Sequence, residues 1–218
     1  MSHTLIEAGA SRSFPDVGSV KQGATADGEV VIIIGADAGA AFSKLSDGGK
    51  GKKAVLIELG MESLGVHTGE SRGTEGSNVL GFARFRLGDA APTDLVELVR
   101  QPNTPDAAID AAKGVLQGLG LKVAVCLDSA GRIIDRLVRP YYNATLRRLD
   151  EQLATADDLD TTLKLGLGYP EGPISLLERT GLAHHYDVTA ALFDAYGDLA
   201  YAPARRAQVA KARQKSGK

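Results

Sequence analysis

The chain has 218 residues, of which 44% are hydrophobic and 24% charged, a composition typical of a folded globular protein. The formal net charge of −2 gives no reason to expect a nucleic-acid partner, and the single cysteine excludes an internal disulfide and a cysteine-rich zinc site. The apolar runs are too short to cross a membrane, and residues 1–27 lack the apolar core of a signal peptide. We therefore expect a cytoplasmic protein without membrane contacts or a bound metal.

The two ends of the chain differ in composition from the middle. Residues 1–27 are rich in Ser, Gly, Ala and Thr and show no sustained periodicity, which predicts a leader or linker. Residues 205–218 contain six basic and no acidic side chains, so they carry +6 and the rest of the chain −8 of the net −2. We interpret this stretch as a solvated basic tail, with contact to an anion such as a nucleotide phosphate as the alternative.

Residues 28–128 alternate short strand patterns with helical or loop segments. Continuous apolar runs such as VVIII at residues 30–34 are typical of strands buried on both faces of a sheet. Asn103 to Pro105 predict the start of a helix, and Gly118 and Gly120 its end. The order strand, helix, strand indicates an α/β domain with a largely parallel sheet. The predicted strands are Val30–Ile34, Ala54–Ile57, Val79–Phe85, Asp94–Val99 and Leu121–Leu127.

Residues 129–204 carry helical patterns only, which predicts an all-α domain. Apolar residues from Ile133 to Leu153 recur at helical spacing over about six turns, and Pro140 inside this pattern predicts a kink. Thr155 and Asp158 are spaced as a capping box for a second helix. A third helix is predicted from Gly172-Pro173 to Gly181, and a fourth over residues 182–199.

Two glycines and one acid stand where a dinucleotide site would lie. Gly35 and Gly39 follow the strand at 30–34, and Glu58 ends the next strand about 20 residues later, the position of a ribose-binding acid. The glycines are not spaced as G-x-G, so an ordinary turn between a strand and a helix is the alternative.

Other titratable residues have two interpretations each. Glu97 interrupts the apolar run at residues 95–99, so it either faces the opposite side of the sheet or has a function. Asp135 next to Arg136 is either a buried pair or a pair on a solvated helix face. His67 lies in a polar loop, and His184 and His185 are adjacent on a helix and cannot chelate together, so we interpret all three as surface or packing residues.

Several phrases of the chain resemble one family. Residues 127–144 read LDSAGRIIDRLVRPYYNA, residues 164–173 read KLGLGYPEGP, and residues 198–203 read DLAYAP. Upstream, residues 94–100 read DLVELVR. These phrases are similar to those of the 3-hydroxyacyl-CoA dehydrogenases.

The resemblance implies a fold of class α/β plus all-α. Its first part is a shortened Rossmann-like domain, residues 28–128. Its second part is a helical dimerisation domain resembling the C-terminal domain of 6-phosphogluconate dehydrogenase, residues 129–204. It also implies NAD-dependent oxidation of a 3-hydroxyacyl-CoA, as in fatty-acid metabolism, and a homodimer formed through the helical domain.

The family's catalytic residues map only in part. Glu97 corresponds to the acid that orients a catalytic His, but the His position falls on Phe85 or Ala83, depending on the alignment. Asp135 replaces a family Asn, and the family's Asn-Thr-Ser-Ser loop falls on residues 58–61. The resemblance makes Ser129 and Arg84 candidate substrate contacts.

Three functional hypotheses remain open. The chain is a dehydrogenase whose NAD site has diverged or is supplied by a complete dehydrogenase module in another chain; it is a non-catalytic acyl-CoA-binding or dimerisation module; or it is an unrelated small-molecule binder that reuses the architecture. The missing His and glycine fingerprint favour a degenerate copy over a working enzyme.

Overall fold

The computed structural model describes residues 2–217 and divides the chain into two compact units. The first comprises the residues up to Arg86 together with Pro92–Arg132, and the second comprises Leu87–Ala91 together with the residues from Ile133 onward. We call them the α/β unit and the helical unit.

A six-stranded sheet forms the centre of the α/β unit, and its strands lie side by side in chain order. The first four strands are parallel, the fifth is antiparallel to the fourth, and the sixth is parallel to the fifth. The strands are β1 (His3–Glu7), β2 (Val30–Ile34), β3 (Ala54–Glu58), β4 (Val79–Arg84), β5 (Leu95–Arg100) and β6 (Lys122–Leu127).

Both faces of this sheet are covered, which explains the continuous apolar runs. Every residue of β2 and β3 is buried. Alternate side chains of β2 pack on opposite faces: Ile32 joins a cluster with α4 (Asp106–Gly118) and α1 (Gly18–Lys21), while Ile33 joins a cluster with α2 (Ala38–Ser43). A third short helix, α3 (Gly65–Thr68), follows β3.

The stretch 1–27 was expected to be a linker, but its described residues include a strand of the sheet and a buried part of the core. His3–Glu7 pairs with β2 along five residues, the His3 imidazole Nε2 lies 2.7 Å from the Val20 carbonyl oxygen, and Phe14 is buried. A five-residue strand has little pattern of its own, and its stability comes from pairing with a segment more than twenty residues away. The sheet therefore has six strands rather than the five expected.

The strand order has a consequence for ligand binding. In doubly wound sheets, dinucleotides bind in the crevice where the strand order reverses. The strands of residues 2–217 show no such reversal, because each strand lies next to the one before it in the chain.

Five helices make up most of the helical unit, and the predicted start signals of two of them are present. Thr155 accepts a hydrogen bond from the Asp158 N–H at 3.1 Å and caps the second of them, and Pro173 is the first residue of the third. Pro140 lies inside the first. The helices are α5 (Ile134–Asp150), α6 (Ala156–Leu167), α7 (Pro173–Thr180), α8 (Leu182–Tyr196) and α9 (Arg205–Lys215).

The basic stretch after residue 204, expected to be a solvated tail, forms α9. Its small residue Ala207 is fully buried, and α9 packs against α8 and α5. Ala207 has only a small apolar side chain, so the highly charged sequence gives little sign of this contact. Among the helices of residues 2–217, none is long and apolar enough to cross a membrane.

Candidate functional site

A cavity of about 340 Å³ opens at the carboxyl ends of the first strands of the α/β unit, the edge of an α/β sheet where ligands usually bind. Three residues singled out from the sequence, Gly35, Gly39 and Glu58, line it together. The full lining is Ala10, Arg12, Gly35, Ala36, Asp37, Gly39, Ala40, Glu58, Leu59, Gly60, Glu62 and His67.

The Glu58 carboxylate accepts three hydrogen bonds from groups of its own chain. Its Oε2 accepts hydrogen bonds from the Ser11 hydroxyl at 2.7 Å and the Gly35 N–H at 2.6 Å, and its Oε1 accepts one from the Ser13 N–H at 2.7 Å. The side chain is buried. Glu58 thus ties the end of β3 to the turn after β2 and to the segment after β1.

The backbone N–H groups of the Gly35 turn are also taken. Ala36 donates to the Ala10 carbonyl at 3.0 Å, and Asp37 donates to the Ala8 carbonyl at 2.9 Å. A Cβ added at Gly35 would lie 2.2 Å from the Ala8 carbonyl oxygen, so this glycine allows two chain segments to approach closely. A dinucleotide pyrophosphate needs free N–H donors at such a turn. The residues present therefore do not fit a pyrophosphate here.

His67 is a cavity residue that the sequence patterns did not indicate. Its ring packs on Gly39, where an added Cβ would lie 2.1 Å from the ring, and its Nε2 lies 3.5 Å from Glu62 Oε1. No periodic or motif signal connects a histidine in a four-residue helix with a glycine 28 residues earlier.

Glu97 lies in the middle of β5, almost fully buried, and faces Ala83 across the antiparallel ladder. This register selects Ala83 over Phe85 as the residue opposite the acid. Arg132 is also buried; its Nε donates to Glu97 Oε2 at 3.3 Å and its Nη1 donates to the Gly60 carbonyl at 2.9 Å. A guanidinium thus contacts the carboxylate that the resemblance assigns to a histidine.

Arg84 is held by backbone carbonyls. Its Nε donates to Thr93 at 2.9 Å and its Nη1 to Ser13 at 3.1 Å, while its guanidinium carbon lies 5.3 Å from the centre of the Phe14 ring. Desolvation lowers the pKa of Arg84 below its usual value. The side chain clamps the segment after β1 to the loop between β4 and β5.

Ser129 lies in the turn after β6 and is partly buried; its carbonyl accepts the Arg132 N–H at 3.1 Å. The adjacent Asp128 accepts the N–H groups of Leu64 and Gly65, each at 2.7 Å. This turn therefore anchors the start of α3 and positions Arg132.

Asp135 belongs to a buried polar chain in the helical unit, and its partner is Arg139, not Arg136. Asp135 Oδ1 accepts from Arg139 Nε at 2.7 Å, and Arg139 Nη1 donates to His185 Nδ1 at 3.1 Å. His185 Nε2 lies 2.9 Å from Asn143 Oδ1, which also accepts the Ala204 N–H at 3.4 Å. Because a guanidinium can only donate, His185 is neutral with its proton on Nε2.

The buried group of hydrogen-bonded side chains around His185 makes a pH-dependent contribution to the stability of the protein. Desolvation, reinforced by the Arg139 charge, lowers the pKa of His185 to about 3. Between about pH 6.5 and pH 3 the unfolded chain binds a proton at this position and the folded chain does not. Acidification through this range is therefore expected to reduce the free energy of unfolding, by up to about 1.4 kcal/mol per pH unit.

Denaturant titrations from pH 7 to pH 4 measure this effect. His185→Gln should remove that part of the pH slope, while His184→Gln, whose imidazole pairs with Asp89 at the surface, should keep it. Equal slopes in the wild type and His185→Gln would contradict the assignment.

Within residues 2–217, no three His, Cys, Asp or Glu side chains are placed to hold a metal ion.

The comparisons with known proteins agree on one family. Residues 131–218 match the family model described as 3-hydroxyacyl-CoA dehydrogenase, C-terminal domain. Human mitochondrial hydroxyacyl-coenzyme A dehydrogenase is 32% identical over 119 residues, which cover 54% of this chain and 37% of that protein. The chain thus spans little more than a third of this curated relative.

Solved structures extend the likeness to both units. The (S)-3-hydroxybutyryl-CoA dehydrogenase of Ralstonia eutropha matches with a TM-score of 0.70 at 24% identity, covering 87% of this chain and 66% of that one. The 3-hydroxybutyryl-CoA dehydrogenase of Escherichia coli K12 matches with a TM-score of 0.72 at 26% identity, covering 88% and 42% respectively. Residues 131–218 therefore belong to the 3-hydroxyacyl-CoA dehydrogenase C-terminal domain family, and the chain combines this helical domain with a Rossmann-like sheet.

Proposed function

We propose that this chain is a member of the 3-hydroxyacyl-CoA dehydrogenase family that binds an acyl-CoA and self-associates but does not itself transfer hydride. One observation carries the proposal: within the α/β unit, the residue paired with the acid Glu97 is Ala83 and not a histidine, and Arg132 donates to the Glu97 carboxylate. Loss of a general base costs about 10²–10⁴-fold in rate.

The cavity at the carboxyl ends of the strands supports the same conclusion. NAD is the cofactor that the family resemblance implies, and its pyrophosphate requires donors that the Gly35 turn has already used within the chain. The acid Glu58 already accepts three hydrogen bonds within the chain, so a ribose hydroxyl would compete with these donors.

Exposed apolar side chains of the helical unit support self-association. Leu137 on α5 is 70% exposed and Leu165 on α6 is 82% exposed, and Leu167 and Tyr169 are also exposed. Exposed apolar side chains mark an interaction site where they form one patch, and we propose that these do. The proposed partner is a second copy of this chain.

Calorimetry and an activity assay on the purified chain test the proposal. We expect acetoacetyl-CoA to bind, NAD not to bind, and no NADH to form from 3-hydroxybutyryl-CoA. Light scattering should give a dimer that Leu137→Asp weakens.

NADH formation that is lost in Glu97→Gln and kept in Glu29→Gln, an exposed glutamate, would overturn the non-catalytic assignment. If activity appears only when a second, complete dehydrogenase chain is added, the two chains together form the enzyme and the non-catalytic assignment is wrong. Failure of acetoacetyl-CoA to bind would refute the acyl-CoA role.

A further inference from the structure

Strand β6 is the last strand of the sheet in the α/β unit, and only one of its two edges is paired. The N–H groups of Lys122 and Asp128 donate to carbonyls at or next to the ends of β5, at 2.9 and 3.0 Å. Alternate residues of a parallel strand bond to the same neighbour, so the N–H and C=O groups of Val123, Val125 and Leu127 point away from β5. No strand of residues 2–217 lies on that side. This free edge is a template for a further strand.

The side chains along this edge lack the charges that usually protect an exposed strand. Residues 123–127 read VAVCL, and Val125 and Leu127 are 37% and 53% exposed. Edge strands commonly carry a charged residue or a proline, which prevents pairing with another chain. Here the charges stand only at the two ends and have opposite signs, with Lys122 as the first residue of β6 and Asp128 just after it. This pattern is typical of a strand that pairs.

An acidic cavity of about 170 Å³ lies at the carboxyl end of the same strand. Its lining has three carboxylates and three uncharged residues, which are Glu70, Glu75, Asp128, Gln101, Pro102 and Leu127. A Cβ added at Gly65 would lie 2.5 Å from Glu70 Oε1 and 3.5 Å from Asp128 Oδ2, so two like charges stand close together. None of the three carboxylates forms an ion pair within the part of the chain that the structure describes. The cavity therefore favours a cation.

We propose that β6 pairs antiparallel with β6 of a second copy of this chain, with Val125 opposite Val125 on the two-fold axis. In this register Lys122 of one copy lies opposite Asp128 of the other, on the same face of the joined sheet, and its ammonium group reaches the acidic cavity. Val123 lies opposite Leu127, so exposed apolar side chains cover one another. A parallel pair, or an antiparallel pair shifted by two residues, places no lysine opposite Asp128.

This contact is separate from the exposed apolar side chains of the helical unit on which the proposed function draws. Two strands of six residues bury less than the about 1,200 Å² of stable interfaces, so the pairing is weak and depends on protein concentration. A chain with both contacts forms dimers through the helical unit at low concentration and larger assemblies at high concentration. Each contact can be removed by its own substitution, so the failure of one leaves the other testable.

Disulfide trapping in the full chain tests the register. In a Cys126→Ala background, Val125→Cys places two cysteines opposite each other at a Cα spacing of about 5.5 Å, within the range for a disulfide. Val123→Cys is the matched control, since its two copies lie about 13 Å apart along the joined strands. We expect mild oxidation to give disulfide-linked dimers of the Val125→Cys protein and single chains of the control. Equal cross-linking of the two proteins would overturn the proposal, as would the absence of cross-linking in both.

Charge exchange tests the lysine contact by sedimentation velocity of Leu137→Asp protein, in which the proposed helical-unit contact is weakened. Lys122→Glu should weaken the remaining association at least about tenfold, because each dimer loses two attractions and gains two repulsions. Adding Glu70→Lys should restore most of the affinity, whereas Lys50→Glu, at an exposed lysine before β3, should change it less than about twofold. Circular dichroism melting checks that each variant is folded. An unchanged affinity in Lys122→Glu, or a loss that Glu70→Lys does not reduce, would overturn the proposal.

Discussion

Replacing Glu58 by Gln is expected to destabilise the α/β unit, although the change only exchanges one oxygen for an amide nitrogen. Both Glu58 oxygens accept from buried or partly buried donors, and an amide oxygen can replace only one of them. The NH2 group of the glutamine side chain then faces a backbone N–H, and neither can accept a hydrogen bond from the other. A buried N–H without an acceptor costs about 1–3 kcal/mol. Glu58→Ala leaves the N–H groups of both Ser13 and Gly35 without an acceptor, so it should reduce the free energy of unfolding about twice as much as Glu58→Gln.

Denaturant unfolding of the two variants measures these losses. Glu29→Gln is the matched control, because Glu29 is exposed and its carboxylate forms a surface ion pair with Lys53, so its change should stay within about 0.5 kcal/mol. A Glu58→Gln protein as stable as the wild type would mean that the carboxylate does not hold the turn and remains available to a ligand.

Replacing Arg132 by Met is expected to cost about 3–5 kcal/mol, because it removes one partner of a buried ion pair. The Gly60 carbonyl also loses its guanidinium donor. Arg132 has a left-handed φ of 52°, and Met is no less tolerant of that backbone than Arg, so the substitution adds no backbone strain.

Arg148→Met provides the control, because it breaks an exposed pair with Glu151 and should cost less than about 1 kcal/mol. The double variant Glu97→Gln/Arg132→Met should recover part of the stability lost in Arg132→Met, since no buried charge is then left without its partner. If the double variant loses as much stability as the two single variants together, or more, Glu97 and Arg132 do not form a direct pair.

Local signals account for the parts of the fold that the sequence predicted. The runs at β2 and β3 are apolar throughout because both faces of these strands are buried, and the ends of α6 and α7 follow from Thr155 and Pro173. Neither β1 nor α9 has a comparable signal. The first depends on pairing with β2, and the second on a contact through small residues such as Ala207.

The position of the candidate site was predictable from the sequence, but the hydrogen-bond partners of its residues were not. Gly35 and Glu58 end neighbouring strands, so their meeting at one sheet edge follows from the parallel order. Ser11 and Ser13, which donate hydrogen bonds to Glu58, lie 47 and 45 residues before it in the chain, and no sequence pattern predicts these bonds. Whether Ala83 or Phe85 faces Glu97 depends on the ladder register after an irregular loop, which residue counting cannot fix.

The chain-order arrangement of the sheet also bears on how the α/β unit folds. Paired residues on neighbouring strands are separated by 12 positions, for Arg84 and Val96, to 27 positions, for His3 and Val30. Closing short segments costs less chain entropy than joining distant ones, and folds with short separations between contacts form faster. Each strand can therefore pair with the edge that the preceding strand has already formed, so no strand pairing depends on a distant part of the chain.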